Sequence, residues 1–415
     1  MRNAIKVILK FYSYILRIEY YFLSYISFIR SKLKGTNSKK RLFYLKDIKI
    51  LKDKLNKINQ KRIAIFVAYH SSNKIPKTNI NYLKVLNDSL FKIIYVHNGY
   101  LEKKVKNKLE SLDCYVVCRE NIGQDFGAWK DTISFLEENK LINNLDWLLL
   151  CNDSNFCIGG ENAKLFKDKF TNMLNKQNSE FDFISLNCNF EGLMHYQSYF
   201  IWLSRLILRD KKFKKFWGKY IPLNNRYHAI NNGEKKFTKL ILNHYRPNVF
   251  FTSKELCKRM KQSIIPDYNF ILKLLPHNLF FLEACFLIEK QSQNQNIILG
   301  ITKLINSLEN YNQSHVFGLL NMIYLKSPFL KKDITRMGVF NLNQINDLLN
   351  SSELKISEDL KDEIMEFLKN EGNPSYFSKS RRAAVRKGIP VSKDLYEHLP
   401  ISKSLKKIYN SRNEG

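Results

Sequence analysis

Tyr115 to Gly160 reads YVVCRENIGQDFGAWKDTISFLEENKLINNLDWLLLCNDSNFCIGG. The run Tyr115-Val116-Val117-Cys118 suits a buried strand, and a polar turn follows through Glu120, Asn121, Gly123, Asp125 and Gly127. Trp129, Ile133 and Leu136 are then spaced to cover one face of a helix. A second apolar run, Trp147 to Cys151, stops at Asn152-Asp153-Ser154. Strand, turn, helix, strand, polar cluster describes a βαβ unit. Its polar groups collect at the carboxyl ends of parallel strands, where ligands bind in open α/β sheets. Gly123 and Gly127 permit close backbone approach or positive φ, and the helix N-terminus behind them attracts an anion.

The same alternation extends toward the N-terminus. Ile63 to Ala68 is a first buried strand ending at Tyr69-His70-Ser71-Ser72, and a helical segment runs from about Asn79 to Ser89. Phe91 to Val96 is a second strand ending at His97-Asn98-Gly99, followed by a helix from Leu101 to Leu112. Strands alternating with helices over this length predict a mostly parallel sheet with both faces covered. Tyr69, Asn98, Asn121 to Asp125, and Asp153 then converge on one rim. Past Gly160 the pattern predicts a helix over Lys164–Asn175 and a strand over Phe181–Leu186. A polar cluster, Met194 to Ser198, leads into a further apolar strand ending at Leu203. Asn231-Asn232-Gly233-Glu234 opens another helix, and two short helices lie between Asn341 and Asn370.

Composition narrows the class. The 415 residues are 44% hydrophobic and 13% aromatic, enough for a substantial core. The formal charge of +30, from 68 Lys and Arg against 38 Asp and Glu, calls for an anionic partner such as membrane lipid or nucleotide phosphate. No nucleic-acid-binding motif accompanies it, and the basic residues concentrate at the two termini. The 7 cysteines form no CxxC pair and no zinc spacing, so they read as reduced core residues in a cytosolic protein.

Residues 1–34 are basic and aromatic. Lys6, Lys10, Arg17 and Glu19 interrupt any run of roughly 20 apolar residues that a membrane span needs. Arg2, Lys6, Lys10, Ser13, Arg17 and Ser24 gather on one side of a helical wheel. Ile5, Leu9, Tyr12, Leu16, Leu23 and Ile26 gather on the other, the pattern of an interfacial helix or of one packed on the protein's own core. A basic linker over Lys34–Arg62 favours an anionic lipid surface. Three regions result: residues 1–61 as amphipathic helix and linker, 62–335 as the main domain, and 336–415 as a helical extension with a basic tail.

The Asn-Ile-Gly-Gln-Asp-Phe-Gly and Leu-Leu-Cys-Asn-Asp-Ser segments resemble paired motifs of the rhamnan synthesis protein F family of bacterial surface-polysaccharide assembly. His195-Tyr196-Gln197-Ser198-Tyr199-Phe200 and the Phe213, Phe216, Trp217 helix resemble further signatures of that family. So do Asn312 to His315 and Lys326 to Lys331, and the likeness covers roughly Arg62 to Asp333. The order of the pieces also resembles the Rossmann-related GT-A glycosyltransferase core.

That resemblance implies a hexosyl- or deoxyhexosyltransferase, rhamnosyl transfer among the options. It would use a nucleotide-sugar donor and a lipid-linked glycan acceptor at the inner face of the plasma membrane. Tyr69 and Asn98 are then candidates to grip the nucleoside, Asn121, Gly123 and Gln197 to line the donor site, Asp125 to hold ribose or sugar hydroxyls, and Lys130 to reach phosphate. A divalent cation, Mg²⁺ or Mn²⁺, needs only one or two carboxylates when phosphate oxygens complete its shell, and Asp153 is the candidate ligand. The usual Asp-x-Asp is absent, since Asn152 precedes Asp153 and Ser154 follows it. Glu234 is the candidate general base, with His195 as competitor. The missing Asp-x-Asp leaves a second reading: a catalytically inactive GT-A-like module that binds glycan or scaffolds an assembly complex.

Overall fold

The computed structural model describes residues 18, 22, 25, 26, 28, 29, 45–56, 61–175, 180–189, 194–262, 270, 274, 275, 312–335, 339, 340 and 342–370. The chain divides into two compact units: Ser24–Gly159 with Ala163–Phe250, and Met1–Leu23 with Gly160–Asn162 and Phe251–Gly415.

The first unit holds the sheet. Helix α1 (Leu45–Asn56) precedes β1 (Arg62–Ala68), α2 (Lys77–Asp88), β2 (Lys92–Asn98), α3 (Lys103–Ser111) and β3 (Cys114–Arg119). Then come α4 (Gln124–Glu138), β4 (Trp147–Asn152), α5 (Gly160–Asn175), β5 (Phe183–Ser185) and β6 (Phe200–Ser204). Helices α6 (Arg205–Arg209), α7 (Lys211–Lys219) and α8 (Lys236–His244) and strand β7 (Pro247–Val249) complete it. The seven strands lie in the order β7-β5-β6-β4-β1-β2-β3. Strands β3, β2, β1 and β4 are mutually parallel, with Ile65 beside Ile94 on one side and Leu150 on the other. Strand β6 enters reversed between β4 and β5, and β7 runs parallel to β5. The sheet is therefore mostly parallel, as the alternation of elements predicts.

Both faces of the central strands are covered, which is why their sequences read as unbroken apolar runs. Ile63, Ile65 and Val67 share a core with Trp129, Ile133 and Leu136 of α4. The alternate residue Phe66 meets Tyr82 of α2 edge-on, with ring centroids 5.2 Å apart. The six described cysteines are free and buried.

Two local expectations are corrected. The segment read as a linker contains α1, whose Leu51 and Leu55 are buried. Its Asp47 accepts from Lys106 Nζ at 2.9 Å and from the Cys118 backbone N at 3.1 Å, tying α1 to β3. The dense lysines there hide a short apolar stripe. Asn231 to Glu234 do not open a helix but lie within a π-helical stretch, Ala229–Lys235, that runs on into α8. In the N-terminal segment, Ile18, Phe22, Tyr25 and Ile29 are helical and exposed, whereas Ile26 on the expected apolar face is half-buried. The rest of that face, the polar positions Arg2 to Arg17, and the basic tail from Asn373 lie outside the described residues.

Among its described residues the second unit is mainly helical: α9 (Ser253–Gln262), α10 (Gln313–Val316), α11 (Gly318–Tyr324), α12 (Leu342–Leu349) and α13 (Glu358–Asn370). Ile345, Leu348 and Leu349 of α12 and Leu360, Ile364 and Leu368 of α13 are buried, matching the two short helices expected there. His315 Nε2 lies 2.9 Å from Asp333 Oδ1.

Candidate functional site

Strand β1 is flanked by β2 on one side and β4 on the other, so successive connections leave it in opposite directions. Such a switch point opens a crevice at the carboxyl ends of the two strands. Tyr69 and Asp153 are the first residues past β1 and β4. Across the crevice, Asp153 Oδ2 accepts a hydrogen bond from the Tyr69 backbone N at 3.2 Å. The Asp153 backbone N in turn donates to the Val67 carbonyl at 3.0 Å, which fixes the residue's position. Next to it, Asn152 Nδ2 donates to Asp125 Oδ2 at 2.6 Å, and Asn152 Oδ1 accepts from Ser154 N and Oγ. The glycine turn and the β4 end thus form one cluster, with Asp125, Asn152 and Asp153 in sequence around it.

The turn itself demands glycine. Gly123 has φ 77°, and a Cβ there would stand 2.3 Å from Pro222 Cβ. A Cβ on Gly127 would stand 2.2 Å from the Ile122 carbonyl oxygen. Asn224 clamps the turn from outside: its Oδ1 accepts from Gly123 N at 2.6 Å and its Nδ2 donates to the Asn121 carbonyl at 3.0 Å. Asn121 therefore contributes its backbone to the clamp. Lys130 is engaged as well, donating from Nζ to the carbonyls of Gly218 and Tyr220 at the end of α7.

On the α2 side of the sheet, the strand ends carry a pair of histidines that the sequence reading passed over. The His70 and His97 rings lie 4.7 Å apart, and His70 Nε2 is 2.6 Å from Tyr95 Oη. Burial pushes the Tyr95 phenol up, and the Asp153 carboxylate pushes it further. Burial also holds His97 below the usual imidazole range. Alternation along β2 explains why His97 and not Asn98 faces this cluster. Asn98, 1% exposed, instead accepts from Arg119 Nη1 at 2.6 Å. Arg119 also binds Asp131 Oδ2 on α4, at 2.7 Å through Nη2.

A second polar cluster surrounds Glu234 on the π-helical stretch. Ser198 Oγ donates to Glu234 Oε1, and His195 Nε2 lies 4.0 Å from Glu234 Oε2. π-helical turns inside helices are rare and are frequently found at functional sites. Gly233 lets this stretch approach the glycine turn, since a Cβ there would meet the Phe126 ring at 2.8 Å. Tyr220 links the two clusters. Its ring lies 5.5 Å from Phe126, and burial, then Asp125, then Glu234 push its phenol up. Gln197 is built into the floor: its backbone N donates to the Asn187 carbonyl and its carbonyl accepts from Ser185 Oγ.

The family described as rhamnan synthesis protein F matches residues 93–370. The chain belongs to the rhamnan synthesis protein F family. Apart from Val67, Tyr69 and His70, the residues of these clusters fall within the matched stretch. The chain is also 26% identical over 151 residues to the uncharacterized protein y4gN of Sinorhizobium fredii, a stretch covering 35% of this chain and 37% of that protein. The chain thus spans well under half the length of this curated relative. No solved structure matches.

Within this family member, the residues singled out from sequence therefore separate. Asp125 and Asp153 are brought together through Asn152, and His195 and Glu234 through their own contact. Asn98, Asn121, Lys130 and Gln197 carry hydrogen bonds that hold the scaffold. Asn152, His70, His97 and Tyr220 were not anticipated. The strand-end positions of the first three were the available signal, whereas nothing local marks Tyr220. Among the described residues no group of three or more His, Cys, Asp or Glu side chains is arranged around a metal. The single half-buried carboxylate of Asp153 fits a hard cation that takes most of its shell from phosphate and water. Among the described residues no helix is long and apolar enough to cross a membrane.

Proposed function

We propose that the protein is a glycosyltransferase with a GT-A-like core. It moves a sugar from a nucleotide-activated donor to a growing bacterial surface polysaccharide carried on lipid at the cytoplasmic membrane face. The observation that carries this reading is the Asp153–Tyr69 contact across the β1–β4 switch point, continuous with Asp125 through Asn152. Family membership supports the polysaccharide, and the crevice supports a nucleotide.

In this reading Asp153 holds the donor's diphosphate end. A divalent cation bound by Asp153 would neutralise charge on the departing diphosphate. Asp125, already oriented by Asn152, accepts hydrogen bonds from sugar or ribose hydroxyls. As the acceptor oxygen forms its bond to the anomeric carbon, the bond from that carbon to the phosphate oxygen breaks. The acceptor's proton passes to Glu234, whose carboxylate is held by Ser198 and flanked by His195.

The test is donor turnover by purified protein, with and without Mg²⁺ or Mn²⁺, on a lipid-linked acceptor. Asp153→Asn should lower turnover by about 10²–10³ and weaken Mn²⁺ binding read by electron paramagnetic resonance, with an unchanged circular dichroism spectrum. Near-normal turnover in folded Asp153→Asn overturns the assignment of Asp153. No turnover by the unaltered protein across a wide donor panel favours a glycan-binding module.

A further inference from the structure

The first unit carries a basic and aliphatic outer face on its own core helices. Over Arg205–Tyr220 the inward positions Ile207, Leu208, Phe213 and Trp217 are at most 1% exposed. The outward positions on α7 are Lys211, Lys212, Lys215 and Lys219, all exposed. In these residues seven Lys and Arg stand against one acid, Asp210. That acid is occupied by the Lys212 backbone N at 2.7 Å and Tyr245 Oη at 2.7 Å.

Large aliphatic side chains are exposed in and directly after the same segment. Leu206 is 55% exposed and Ile221 is 52% exposed. The patch continues onto the N-terminal helical residues. Phe28 stacks on His228 at 5.4 Å, and His228 Nε2 lies 2.8 Å from the Ile221 carbonyl oxygen. Tyr25, three residues before Phe28, and Ile29, directly after it, are exposed like Ile221.

We propose that the outer face of α6 and α7, with Ile221, Tyr25 and Ile29, docks on an anionic lipid bilayer. Charge decides the sign of the partner, and the aliphatics decide its kind. Lysines beside an anionic leaflet each add roughly fivefold to binding, and exposed aliphatic side chains add burial in the headgroup region. A nucleic acid would engage the lysines but leave Leu206 and Ile221 in water. This inference extends the reading above, which needs a lipid-borne acceptor. It assigns docking to the core helices rather than to the N-terminal segment alone, and its test reads vesicle binding, not sugar transfer.

The experiment is sedimentation of the full chain with phosphatidylcholine vesicles, with and without phosphatidylglycerol, over a range of salt. Replacing Lys211, Lys212, Lys215 and Lys219 together by Glu should weaken binding to the anionic vesicles more than tenfold. The corresponding Gln variant, which avoids charge reversal, should weaken it by a smaller factor. Leu206→Ser with Ile221→Ser should remove the binding that persists at high salt. Circular dichroism melts establish that each variant is folded. Unaltered vesicle binding in both folded lysine variants overturns the proposal. So does tight binding to an oligonucleotide by a chain that ignores anionic vesicles.

Discussion

Asn152 Nδ2 donates to Asp125 Oδ2 over 2.6 Å, joining residues 27 positions apart. One side chain thereby orients a carboxylate from the glycine turn while its neighbour Asp153 reaches across to Tyr69. Asn152 is 2% exposed, so its amide has no water to replace these partners.

Asn152→Ala should therefore leave Asp125 and Ser154 short of their partners at once. Loss of buried hydrogen bonds of this kind costs about 1–3 kcal/mol. Urea denaturation should report that loss, and donor turnover should fall with it. Full turnover in the variant would detach Asp125 from the chemistry.

Gly123→Ala should be damaging although it adds a single methyl group. The position has φ 77°, and the new Cβ would collide with Pro222. Backbone strain and overpacking together cost about 3 kcal/mol. The turn should move rather than the sheet, so thermal unfolding should shift downward while far-ultraviolet circular dichroism is retained. A melting temperature equal to that of the unaltered protein would contradict this.

Arg119 is fully buried and serves Asn98, Asp131 and the Ile122 carbonyl together. Arg119→Met leaves the Asp131 carboxylate without its charged partner, a loss of about 3–5 kcal/mol. Arg119→Lys should recover little, because an ammonium cannot reproduce the planar fork. Denaturant midpoints for the two variants check the ranking.

His97 and His228 are both held below the usual imidazole range, burial being the main cause. As pH falls, the unfolded chain takes up a proton before the folded one does. Their contribution is thus fully present above the unfolded value near 6.5 and is lost as pH drops from there toward the folded values. The slope is at most about 1.4 kcal/mol per pH unit for each group. His97→Gln should flatten stability measured between pH 7.5 and 5.5, and an unchanged slope would remove His97 from the account.

Much of the sheet was legible because buried parallel strands leave a simple trace. Arg62–Ala68, Lys92–Asn98, Cys114–Arg119 and Trp147–Asn152 are apolar runs cut off by polar clusters, and those clusters do collect on one rim. The same trace carries no direction. Phe200-Ile201-Trp202-Leu203 is apolar whichever way it runs, so its reversal between β4 and β5 was decided by the connections around it. α1 was hidden because its lysines dominate the composition, while its Leu51 and Leu55 reach the core.

For the site, sequence by itself determined which segments supply polar groups: the glycine turn, the strand ends, and the stretch around Glu234. Only the tertiary structure decided which groups remain for a ligand. Lys130 was expected to meet phosphate, yet its ammonium holds the Gly218 and Tyr220 carbonyls. Asn98 was expected at the nucleoside, yet alternation turns it onto Arg119. A hydrogen bond depends on atoms within about 3 Å, and partners 88 and 21 residues away along the chain leave no local mark. Charge and strand ends can be read residue by residue, but the partner of each donor is settled only when distant segments pack.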